Sequence, residues 1–168
     1  MSARSKARKR ALDTIFEADL KGISIPGTNT NDETDVEVTN YSLDLVKGIK
    51  ENQAQIDELI TNSLQNWTFD RIPRVDRNIL RIAVYELLYQ KDVPTNVVIS
   101  EAVSLAESLS TAESSAFVNG TLGTISKKGS LSGNDKNMLL GVHVNYILYS
   151  NISVGLSIES FKLSNADT

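Results

Sequence analysis

"DRNILRIAVYELLYQKDVPTNVVISEAVSLAESLSTAESSAFVNGTLGTI", residues 76–125, decides the fold. The segment from Val75 to Tyr89 is apolar nearly all the way round, with Ile79, Leu80, Ile82, Ala83, Val84, Leu87 and Leu88. A helix without a polar face has to be surrounded, so this one belongs at the centre of a bundle. Asp92-Val93-Pro94 ends it and turns the chain, and Thr95 is placed to cap a second helix reaching about Leu109. That helix carries Val98, Ile99, Ala102, Val103, Leu105, Ala106 and Leu109 on one face. Ser100, Glu101, Ser104, Glu107 and Ser108 are expected to face water. "STAE", Ser110 to Glu113, has capping-box spacing and is expected to open a third helix, with Phe117, Val118, Leu122 and Ile125 on its inner side.

Working outward, helical spacing continues upstream. From Arg4 to Leu20, Ala7, Ala11, Leu12, Ile15 and Ala18 share a face, and Gly22 stops the helix. Arg4 and Arg8 extend that stripe beyond the point where it is expected to be core; Lys6 and Arg10 fall opposite. Residues 22–38 read as a loop. From about Tyr41 to Leu64, Leu43, Val46, Ile49, Ile56, Leu59, Ile60 and Leu64 predict one long helix, or two with a kink. Pro73 in "RIPR" suits the approach to a helix start. Five helices with short connections make an all-α bundle over residues 1–126. Residues 127–168 are Gly-, Ser- and Asn-rich and then weakly alternating, a texture that fits a hairpin, an added strand or a loose extension.

Composition narrows the function. There are 17 Lys and Arg against 21 Asp and Glu, yet residues 1–10 hold five cations (Arg4, Lys6, Arg8, Lys9, Arg10) and no acid, leaving 12 against 21. Charge segregated in this way concerns partners more than folding. One reading is a solvated helix end, with Arg10 pairing Asp13 one turn on; the other is a cluster that neutralises phosphates. The acidic remainder favours a small directed contact over a general coat. No cysteine is present, which removes thiol chemistry and suits a reducing compartment. No secretory pattern or bilayer-length apolar run occurs, so a cytoplasmic protein is expected, with no membrane partner.

Catalytic signals are sparse. His143 is the only histidine, no phosphate-binding glycine loop or metal motif is present, and Glu101 and Glu107 lie on a face expected to be solvated. No enzyme activity, cofactor or metal is expected. Gly120 and Gly123, on the flank of Ala116, each weaken a helix by about 1 kcal/mol relative to alanine. They imply a close approach by another helix of the bundle, an RNA strand or a protein. Phe117 beside them is either core or a stacking surface. Glu86, among apolar neighbours, is expected either to pair with Arg77 or Arg81 or to meet a cationic partner.

Taken in order, Asp76, Ile79-Leu80-Arg81, Tyr85-Glu86-Leu87, Asp92-Val93-Pro94, Glu101-Ala102, Leu105-Ala106 and Phe117-Val118-Asn119-Gly120 resemble the core signature of the NusB family of transcription antitermination factors. "ARKRALDTIFEADL" resembles that family's arginine-rich opening, so the likeness covers residues 4–126. It implies an all-helical fold of two small subdomains that is not an enzyme. It also implies binding of boxA-type single-stranded RNA in nascent ribosomal transcripts together with NusE, a small-subunit ribosomal protein, in the RNA polymerase antitermination complex. The resemblance makes Arg4, Lys6, Arg8, Lys9 and Arg10 RNA-binding candidates, adds Phe117, Asn119 and Gly123 on the last helix, and turns the helix around Glu86 toward NusE. Gly123 stands where the family often has an acid, and Ser100 where asparagine is common. The extension 127–168 is either lineage-specific or a crossing contact in a homodimer. Two alternatives are an interaction module with weak or lost RNA binding and a stand-alone domain related to rRNA cytosine methyltransferases. Those enzymes need a long catalytic domain and a nucleophilic cysteine.

Overall fold

The structure, a computed structural model, describes residues 2–26, 36–65 and 67–131. The chain divides into two units, residues 1–127 and 128–168. Apart from the end of the last helix, the expectations for 127–168, His143 included, fall outside the described residues. All the regular elements described are helical: α1 (Ala3–Lys21), α2 (Val36–Thr61), a 3-10 turn (Phe69–Arg71), α3 (Arg74–Tyr89), α4 (Thr95–Leu109) and α5 (Ser114–Leu131).

Helix α1 is closed at both ends by its own sequence. Ser2 accepts the Ser5 amide at 3.1 Å. Gly22 takes the left-handed conformation (φ 64°), and the amides of Gly22 and Ile23 return to the carbonyls of Asp19 and Ala18. This paired closure satisfies carbonyls that the helix end would leave bare. Helix α2 begins earlier than its hydropathy predicts, at Val36 rather than near Tyr41. A single apolar anchor, Val38, is buried within a polar stretch. The kinked alternative is the one found. Asn52 leaves helical geometry (φ −117°, ψ 15°), its side-chain amide donates to the Gly48 carbonyl at 2.8 Å, and it accepts from the Tyr89 hydroxyl at 3.0 Å.

Helix starts are where the sequence reading slips elsewhere. Pro73 caps α3 as expected, but Pro94, not Thr95, occupies the cap of α4, and its carbonyl accepts the amides of Val97 and Val98. The capping arrangement expected over Ser110–Glu113 is displaced by one residue. The Thr111 amide donates to the Ser114 hydroxyl at 3.3 Å, and α5 starts at Ser114. The displacement follows from a tertiary bond: the Ser114 hydroxyl also donates to Asp76 of α3 at 2.7 Å, and both residues are buried.

Helix α3 is central, packing on α1, α2 and α4. Ile79, Leu80, Ile82, Ala83 and Val84 are all but closed to solvent. Ile15 of α1, Leu45, Ile49, Ile56 and Ile60 of α2, and Val98 of α4 join them in one apolar cluster. Helix α5 enters it through Val118, Leu122 and Ile125. Full burial of each such aliphatic side chain stabilises by roughly 1.5–3 kcal/mol.

Candidate nucleic-acid interface

Arg8 lies four residues before Leu12 and seven before Ile15, so the stripe that buries α1 carries it inward as well. It does not emerge beyond the core as expected; it is 2% exposed. Its Nε and Nη2 donate to both oxygens of Glu86 at 2.8–3.0 Å, and Nη1 donates to Glu101 at 3.1 Å. The Tyr41 hydroxyl also donates to Glu86, and the Arg8 guanidinium lies 5.8 Å from the Tyr41 ring centroid. Burial opposes the charge on Arg8, but the hydrogen bonds and negative charge of Glu86, aided by Tyr41 and Glu101, outweigh it and raise its pKa. Burial, with the bond to Glu86, pushes the Tyr41 phenol well above its usual value, so it remains a donor.

Three expectations change here. Glu86 pairs with Arg8 rather than with Arg77 or Arg81, and at 1% exposure it offers nothing to an outside partner. Glu101, expected in water, completes the pocket. Arg8, expected on RNA, has its guanidinium engaged by two carboxylates. The partners are 78 and 93 residues away in sequence, so only the fold brings them together.

The other four cations remain toward the outside. Lys6 is exposed and, among the described residues, makes no ion pair. Lys9, not Arg10, pairs with Asp13, at 2.8 Å, because four residues bring two side chains onto one helix face. Arg10 reaches Thr39 of α2 at 3.3 Å. Arg4 pairs with Asp92 at 2.7 Å and lies over the Tyr41 ring. The pairs of Arg4 and Lys9 are solvent-screened surface pairs of little net worth, and a phosphate can replace the carboxylate.

A second polar clamp holds the far end of α1. Arg77 Nη2 donates to both oxygens of Asp19 at 2.8–2.9 Å, Arg81 makes two bonds of 2.7 Å to Asp57, and both guanidiniums lie over the Phe69 ring. The central helix thus takes an ionic contact near each end, which fixes α1 along its length.

On α5, Asn119 is exposed and Phe117 is half-buried against the core. A methyl group added at Gly120 or Gly123 would meet nothing within 4 Å. Among the described residues, then, the glycines do not admit a neighbouring helix, and the flank of Ala116, Gly120 and Gly123 is open backbone. Sequence reasoning passed over Trp67, whose ring lies 6.0 Å from that of Phe117. Its one signal was being the chain's sole tryptophan in a polar connection. Among the described residues no cluster of acids, histidines or cysteines is suited to a metal, and no helix is long and apolar enough to cross a membrane.

A central apolar helix, ionic clamps on α1, a cationic helix start and a glycine flank left uncovered by the described residues define an all-α bundle built around an anchored basic end. The model of the NusB family matches residues 5–127, and the chain belongs to that family. The transcription antitermination protein NusB of Arthrobacter sp. (strain FB24) is 50% identical over 127 residues, covering 74% of this chain and 93% of that protein. That of Acidothermus cellulolyticus is 51% identical over 128 residues, covering 74% and 88%. Among solved structures, T. maritima NusB superimposes with a TM-score of 0.67 at 32% identity, over 76% of this chain and 92% of that one. A complex of the antitermination factors NusB and NusE with dsRNA gives 0.65 at 27% identity, over 76% and 98%.

Proposed function

We propose that this chain is a non-catalytic transcription antitermination factor of the cytoplasm. It binds boxA-type single-stranded RNA in nascent ribosomal transcripts together with NusE, and it helps the RNA polymerase antitermination complex read through terminators. The observation that carries this reading is the division of roles at the start of α1. Arg8 is turned inward and anchored by Glu86 and Glu101, while Arg4, Lys6, Lys9 and Arg10 stay outward on the turn it anchors. Asn119, Phe117 and the open backbone at Gly123 extend the proposed RNA surface along α5. NusE is assigned to the outward faces of α3 and α4, with Glu86 supporting that surface from inside. The family resemblance also allows a homodimer.

Salt dependence tests the reading. Four phosphate contacts at roughly −0.7 each on a single strand give a slope of log K against log salt near −3. Replacing Lys6, Lys9 and Arg10 together with alanine is expected to weaken boxA-type RNA binding at least about tenfold and to flatten the slope toward −1, while NusE binding persists. A flat response in the unaltered protein would overturn the reading. It would favour the second one, an interaction module with lost RNA binding, to which the existing partners of Arg4, Arg8, Lys9 and Arg10 lend some support.

A further inference from the structure

Trp67 lies on the short connection between α2 and the 3-10 turn and is 54% exposed. Scattered exposed apolar side chains are ordinary, but this one has specific surroundings. Its ring sits 6.0 Å from that of Phe117 at 49°, so two aromatic rings adjoin. Phe117 is held firmly. The core takes one side of it, the next residue, Val118, is fully buried, and the Ser114–Asp76 bond three residues earlier ties the first turn of α5 to α3. Gly120, one turn beyond Phe117, is exposed, and among the described residues nothing lies within 4 Å of where its side chain would be. On the Trp67 side, the Arg71 amide closes the 3-10 turn onto the Thr68 carbonyl at 3.0 Å. Arg71 and Arg74 are both exposed there, against one exposed acid, Asp70. Arg74 donates to the Asp19 carbonyl through Nη1 at 2.6 Å, a bond to a neutral acceptor, and makes no ion pair among the described residues.

We infer that Trp67, braced by Phe117, is a stacking platform for an unpaired RNA base, with Arg71 and Arg74 available to the adjoining phosphates; this rests on the RNA-binding reading above. Aromatic faces next to guanidiniums are the chemistry by which single strands are held, because every base has a π-face and every linkage a phosphate. The exposed charges that follow Trp67 in the chain, Arg71 and Arg74 against Asp70, favour a phosphate-bearing occupant over an apolar protein surface.

Because Trp67 is the only tryptophan, its intrinsic fluorescence reports on this position alone. In a titration of the full chain and NusE with boxA-type single-stranded RNA, the emission is expected to quench with the midpoint seen by band shift. Trp67→Ala is expected to weaken RNA binding roughly tenfold or more with the salt slope unchanged, since stacking involves no counterion. Trp67→Phe should recover most of the affinity. Arg71→Gln with Arg74→Gln should instead make the slope shallower by roughly 0.7 for each phosphate no longer neutralised. Emission that answers to NusE alone, with Trp67→Ala losing NusE but keeping RNA, would assign the ring to a protein contact and overturn the inference. So would unchanged RNA affinity in Trp67→Ala while the Lys6, Lys9 and Arg10 triple variant is impaired; in that case the RNA-binding reading survives. If the unaltered protein binds no RNA, both fall.

Discussion

Arg8 and Glu86 bond directly, almost closed to solvent, and the two members of such a pair cannot be changed independently. Removing one partner of a buried ion pair typically costs about 3–5 kcal/mol, because the other charge is left uncompensated. Glu86→Ala is therefore expected to lower stability by about that much in urea titrations, and any loss of a complex should come with loss of fold. Arg8→Met combined with Glu86→Leu should be milder than Glu86→Ala alone. At the other clamp, burial works to raise the Asp19 pKa, but the hydrogen bonds and charge of Arg77, with Asn78 and Arg81, more than offset it and leave it lowered. A lowered carboxylate stabilises the fold above its ordinary pKa, and that contribution disappears as pH falls through the depressed value. Asp19→Asn should thus cost about 2 kcal/mol near neutral pH, and the gap to the unaltered protein should close below about pH 4, as read by thermal midpoints across pH. These partnerships were only half legible in the sequence. Periodicity put Arg8 on the apolar stripe, but whether a cation there is core or surface depends on an acid from a distant helix, and no local spacing reports that.

Elements were more legible than their ends. The all-round apolar pattern of α3 predicted a central helix, and it is central because α1, α2 and α4 all lie on it. Starts were misjudged where one buried residue or one tertiary bond moved the boundary, as with Val38 in α2 and the Ser114–Asp76 bond in α5. The crossing of α2 and α3 was not legible at all. Gly48 is buried there because the Tyr85 ring occupies the place of its missing side chain, and a methyl group would come within 2.1 Å of that ring. Gly48→Ala should favour the isolated helix slightly, yet forcing the ring aside should destabilise the protein by about 1–3 kcal/mol. Chemical denaturation checks the sign, which is the reverse of what helix propensity alone would give.

At the scale of the whole molecule, the charge asymmetry visible in the first ten residues becomes a spatial one: one basic helix end on a body with a net excess of acids. The motif order from Asp76 to Gly120 made the family legible before any coordinates did, because the specificity lies in the series and not in any single piece. What the series could not reveal was which of its charged members look outward. The anchoring of Arg8 has one further consequence. The first turns of a helix ordinarily fray, and their amides exchange with solvent in the least protected class. Here the second turn is stapled to two other helices, so deuterium uptake at Arg8 to Leu12 should be as slow as in the middle of α3, and Glu86→Gln should speed it selectively. For the RNA contact proposed above, a surface already ordered loses little entropy on binding, and the most charged segment of this chain is tied to its buried core.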